Sequence, residues 1–103
     1  MGESIPTQVR RAVQTLEPNA EITLFGSRSR GDAVPESDWD FLILLDGAVP
    51  DARKDTLRHA LYEIELEVGE LISSIIVSRD DWDDPRLQAA PFHQNVMREG
   101  LRV

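Results

Sequence analysis

At 103 residues the chain has room for one hydrophobic core, so a single domain over residues 1–103 is expected. It has no cysteine, which excludes a disulfide framework and a thiolate metal site. Its net charge of −8, from 19 acidic against 11 basic residues, argues against a partner gripped along a nucleic-acid backbone, but leaves room for a small anion held by a few local arginines.

In chain order, Val9, Ala12, Val13 and Leu16 recur at helical spacing and predict a helix over residues 6–17, with Pro6 and Thr7 as start signals. No basic stretch followed by an apolar one precedes it, so a signal peptide is not expected. "EPNA" breaks the helix, and "EITLF" (21–25) reads as a short strand. After the turn "GSRSRG", residues 39–45 form a second strand, apolar on both faces and therefore central. Its run "FLILL" is the longest apolar stretch and too short to cross a bilayer, so a cytoplasmic protein away from membranes is expected.

"DGAVPD" is a loop whose Asp51 can cap the next helix, along which Leu57, Ala60, Leu61, Ile64 and Val68 trace one stripe up to a stop at Gly69. "ELISSIIVS" (70–78) is rich in β-branched residues and reads as a third strand. "RDDWDDP" is a polar turn that starts a short helix, with Trp82 as a satellite core anchor. Phe92 and Val96 mark a last helical turn or two before Gly100. His59 reads as a surface residue, and His93 as a residue of the surface or of packing between subunits.

A helix of about four turns between the second and third strands suits a parallel crossover. The fold expected is thus α/β (α+β), with a small mixed β-sheet of about three strands and helices packed mainly on one face.

Two carboxylates interrupt the apolar second strand. Asp38 and Asp40 stand at i and i+2, so both side chains leave the same face, while Trp39 and Phe41 point the other way into the core. Oxygen ligands so placed suit Mg²⁺, and two such ions can clamp the attacking and leaving oxygens of a phosphoryl transfer. "GSRSRG" supplies the complementary half. Gly26 permits a tight turn, Ser27 starts a short helix whose backbone N–H groups face an anion, and Arg28 and Arg30 add charge for a triphosphate.

Gly26-Ser27, ten residues, then Asp38-Trp39-Asp40 resembles the GS-x10-D-x-D signature of the polymerase-β-like nucleotidyltransferase superfamily, and Arg30-Gly31 also coincides with the pattern. The length resembles the minimal nucleotidyltransferase (MNT) form. The resemblance implies a nucleotide-binding, ATP-binding transferase that moves a nucleoside monophosphate, AMP from ATP foremost, to a protein or small-molecule acceptor with magnesium. On that reading Asp38 and Asp40 are catalytic and hold the metal, in a two-metal site, while Gly26, Ser27, Arg28 and Arg30 bind the nucleotide. Minimal members pair with small helical HEPN proteins in toxin–antitoxin modules, so such a partner, or a homo-oligomer, is implied.

The third carboxylate usual in the family is absent from the third strand, and Glu70 at its start is the nearest candidate for that catalytic place. The departure keeps a second reading open, a binding module of the same fold that neutralises a partner by contact.

Overall fold

The computed structural model describes residues 2–103. The helix α1 (Ile5–Leu16) starts at Ser4, whose hydroxyl accepts from the Thr7 N–H, with Pro6 in the first turn. Then come strand β1 (Glu21–Phe25), the one-turn helix α2 (Ser27–Arg30), strand β2 (Trp39–Leu45) and the long helix α3 (Asp51–Val68). Strand β3 (Ile72–Ser78), the short helices α4 (Arg79–Trp82) and α5 (Pro85–Gln88), helix α6 (Pro91–Glu99) and strand β4 (Leu101–Arg102) complete the chain.

The sheet order is β3-β2-β1-β4. β1 runs antiparallel to β2 and β4, and β2 runs parallel to β3. α3 is therefore the crossover that the parallel pair needs. It stops at Gly69, whose φ of +72° few other residues adopt and whose N–H closes on the Glu65 carbonyl at 2.9 Å. Asp51 is the first helical residue rather than the cap; Pro50 holds the cap position, and the Asp51 carboxylate faces the helix's positive end from within the first turn.

The sheet has a fourth strand that no sequence pattern announces. Two residues carry no alternation, and β4 exists because α6 ends at Gly100 and delivers Leu101 and Arg102 to the free edge of β1, opposite Leu24 and Thr23. β3 also starts two residues later than the β-branched run suggests. Glu65 Oε1 accepts the Ile72 N–H at 2.7 Å, which leaves Glu70 and Leu71 ahead of the strand.

β2 is buried on both faces from Phe41 to Leu45, as a central strand must be. On one face Phe41, Ile43 and Leu45, with Ile22 and Leu24, pack against Val9 and Val13 of α1 and Leu57, Leu61 and Ile64 of α3. The two longest helices share that face. On the other, Leu42 and Leu44 pack with Phe25 and Val77 against Trp82, Leu87, Phe92 and Val96. Trp82 is the anchor its position suggests.

His93, expected at the surface or between subunits, is buried within the chain instead: its ring stacks on Trp82 with centroids 4.1 Å apart. Among the described residues no helix is long and apolar enough to cross a membrane.

Candidate active site

The candidate site lies where β1 turns into α2 across from the start of β2. Phe25 pairs with Asp40 in the antiparallel register, so the next residue, Gly26, passes directly over the Asp40 carboxylate. Gly26 has a φ of +78°, and a Cβ built on it would stand 2.5 Å from Asp40 Oδ2. Only a residue without a side chain permits that approach and that backbone angle together.

From Gly26 the chain enters α2 at once. The Gly26 carbonyl accepts the N–H groups of Ser29 and Arg30, both at 3.1 Å, and the Ser29 hydroxyl at 2.8 Å. The amides of Ser27 and Arg28, as the first in a helix, have no intrahelical acceptor. Gly31, at φ +84°, ends the turn.

Asp38 and Asp40 share a face, as the two-residue repeat of a strand requires. It is the face of Phe25, Leu42 and Leu44, away from α1 and α3. Asp38 precedes the ladder, and its Oδ2 accepts the Ser73 hydroxyl of β3 at 3.3 Å. No described residue donates a hydrogen bond to the Asp40 carboxylate. Burial, and next the neighbouring Asp38 carboxylate, push the Asp40 carboxyl above the ordinary aspartate range, while Arg30 pulls it down. Two partly buried carboxylates that repel each other, with one serine hydroxyl as their only donor among the described residues, are a hard-oxygen donor set fit for a cation such as Mg²⁺, which takes one or two carboxylates and completes its shell with water and phosphate. Among the described residues no third acidic or histidine side chain joins them.

Arg30 stands beside the pair at the mouth of a groove of about 330 Å³. Its guanidinium reaches Asp32 Oδ2 at 3.2 Å and Glu99 Oε2 at 3.3 Å. The groove continues between Gly26 and α6, walled by Phe25, Phe92, Asn95 and Glu99. Phe92 and Val96 were read from the sequence only as marks of a helix, and Asn95 and Glu99 escaped it, although positions 92, 95, 96 and 99 follow helical spacing and so share one face. Phe25 and Phe92 touch there with ring centroids 5.4 Å apart.

Two expected site residues are elsewhere. Glu70 sits at the start of β3, and β3 is parallel to β2 as supposed, but its carboxylate does not turn to the aspartates. Glu70 Oε1 accepts the indole N–H of Trp39 at 3.1 Å and an Arg28 N–H at 3.4 Å. Trp39 alternates with the aspartates and lies on the opposite face, so Glu70 is drawn through to that side. On the aspartate face Ser73 stands opposite Asp40 and Ile75 opposite Leu42, and neither is acidic.

Arg28 stands with Glu70. Its guanidinium lies over the Trp39 ring at 4.5 Å and donates to the carbonyls of Pro35 and Ser37 at 3.3 and 3.0 Å. Gly26, Ser27, Arg30, Asp38 and Asp40 are brought together; Arg28 and Glu70 form a separate cluster.

A family model described as a nucleotidyltransferase domain matches residues 7–87. A protein of Methanocaldococcus jannaschii carrying the provisional name protein adenylyltransferase is 35% identical over 80 residues, which are 78% of this chain and 73% of that protein. A solved toxin–antitoxin structure with AMP-PNP superposes with a TM-score of 0.66 at 18% identity, covering 96% of this chain and 72% of the other. A mutant of the toxin–antitoxin MntA-HpeT superposes with a TM-score of 0.64 at 17% identity, covering 98% and 72%. At such identities these two likenesses are of fold.

Proposed function

The chain belongs to the nucleotidyltransferase domain family, and from that premise we propose that it moves AMP from ATP to a hydroxyl of a partner protein, with Mg²⁺ held by Asp38 and Asp40. The observation that carries the proposal is the seating of Gly26 over the Asp40 carboxylate, where a Cβ would come within 2.5 Å of Oδ2. A glycine there lets a phosphate chain lie against backbone while meeting a carboxylate-bound ion.

Each residue then has a task. The Ser27 hydroxyl and the free amides at the start of α2 bind the terminal phosphates. Arg30 leaves Asp32 and Glu99 to neutralise the triphosphate. Asp38 and Asp40 would hold the Mg²⁺ of a two-metal site, which when bound would polarise phosphoryl oxygen and offset developing charge. The groove along α6 accommodates the rest of the nucleotide.

The acceptor proposed is a protein because the Methanocaldococcus jannaschii relative is named a protein adenylyltransferase. The toxin–antitoxin character of both structural neighbours favours a small helical HEPN-type protein in that place. Labelled ATP incubated with the chain and such a partner should label the partner and release pyrophosphate, and Asp40→Asn should abolish both.

A second reading is favoured by one observation: no third carboxylate meets Asp38 and Asp40 among the described residues. On that reading the domain binds ATP and a partner without transfer. Nucleotide binding with neither labelled partner nor pyrophosphate would decide for it.

A further inference from the structure

Asp38 lies outside the regular ladder; Ser73 reaches its carboxylate from β3, and its backbone is held from the opposite side of the sheet. The β1–β2 pairing reaches no further than Asp40 and the β2–β3 pairing no further than Trp39. Before Asp38 runs a segment without helix or strand, residues 32–38. A carboxylate at the end of such a segment would wander unless its backbone were held.

Arg28 holds it from both sides in sequence. Its terminal nitrogen donates to the carbonyls of Pro35 and Ser37, just ahead of Asp38, and its guanidinium carbon lies over the Trp39 ring, just behind. Glu70 closes the cluster by accepting from Trp39 Nε1 and pairing with Arg28. The Arg28 side chain is only 17% exposed, and its Nε is buried without a partner. A buried donor left unpaired costs stability. The fork is turned to satisfy the loop and the ring at that expense, which is the mark of a guanidinium used as a strut.

We propose that Arg28, Trp39 and Glu70 are positioning residues that set Asp38 beside Asp40 for the cation, and that Glu70 acts through its hydrogen bond to Trp39 rather than as a third metal ligand. The inference rests on the reading of Asp38 and Asp40 as the cation site. Outer partners that orient metal ligands contribute about 10-fold to 100-fold in affinity, so the lower figure is the effect expected from losing one.

The test is Mn²⁺ binding by the full chain in the presence of ATP, read by electron paramagnetic resonance, with circular dichroism to certify folding. Glu70→Ala and Arg28→Ala should each weaken Mn²⁺ binding about tenfold. Glu70→Gln keeps an oxygen acceptor for the indole and should recover most of the Glu70→Ala loss. Should Arg28→Ala not fold, Trp39→Phe serves, since it keeps an aromatic ring for Arg28 and removes the Nε1 donor; it should fall between wild type and Glu70→Ala. Glu70→Gln as damaging as Glu70→Ala overturns the proposal, because the charge would then be what matters. Unchanged Mn²⁺ affinity in every folded variant also overturns it. Wild type that binds no Mn²⁺ with ATP overturns instead the reading of the aspartate pair on which it rests.

Discussion

Gly26 and Asp40 are in contact across the β1–β2 register, with no space between the glycine α-carbon and the carboxylate for even a methyl group. Gly26→Ala is therefore expected to displace Asp40 and to strain the backbone. A backbone at φ +78° and ψ −158° is one that only glycine adopts readily, and it costs a residue with a Cβ about 1–3 kcal/mol, which urea unfolding should register. The same variant should lose the rise in melting temperature that ATP with Mg²⁺ confers on wild type. A preserved ligand-induced rise would separate Gly26 from the nucleotide.

The raised Asp40 carboxyl makes a signed prediction. A carboxylate whose folded value lies above its unfolded value binds protons more readily in the native state, so it costs stability at neutral pH. That cost should fade as pH falls through the folded value and vanish below the ordinary aspartate value of about 4. Without nucleotide, Asp38→Asn/Asp40→Asn should thus be more stable than wild type at pH 7, with the advantage shrinking toward pH 4. The double variant should also show no ATP–Mg²⁺ thermal shift. Thermal melts across pH check both.

Ser27→Ala should weaken triphosphate binding while leaving the order among ATP, GTP, CTP and UTP unchanged. A hydroxyl at the start of a helix contacts phosphate oxygens and no base. Calorimetric titration with the four nucleotides tests this. An altered order with undiminished affinity would place Ser27 against the base.

Glu99→Gln should tighten ATP binding, because Arg30 is paired with Glu99 at 3.3 Å and must leave it to meet phosphate. The pair is partly exposed, so the gain is about threefold, in keeping with surface ion pairs, and should shrink at high salt. Arg30→Ala should weaken binding, and Glu99→Gln should have no effect in that background.

The spacing from Gly26-Ser27 to Asp38 and Asp40 was readable before any coordinates because strand parity is a covalent matter. Alternate residues of a strand must part company, so Asp38 shares a face with Asp40 once its backbone continues the line of the strand. The parallel crossover was readable too, since α3 is long enough to return the chain. Glu70 was not. It stands before its strand, where no alternation fixes a side chain, and the indole donor of Trp39 and the charge of Arg28 decide its direction. Arg28 itself looked like a phosphate ligand because composition cannot distinguish a guanidinium stacked on a ring from one in solvent. The wall supplied by Asn95 and Glu99 depends on α6 folding back over β1, which only the tertiary structure reveals.

The sheet divides the apolar interior into two clusters with no side chain in common, a large one under α1 and α3 and a small one under Trp82, Phe92 and Val96. Regions held by few buried contacts open at lower free energy than the body of a protein, and do so as units. The wall of the groove therefore belongs to the part that breathes, while Asp40 is strung on the strand that the large cluster locks. Amide hydrogens of α6 will exchange ahead of those of β2, and the groove can widen and close without Asp40 moving.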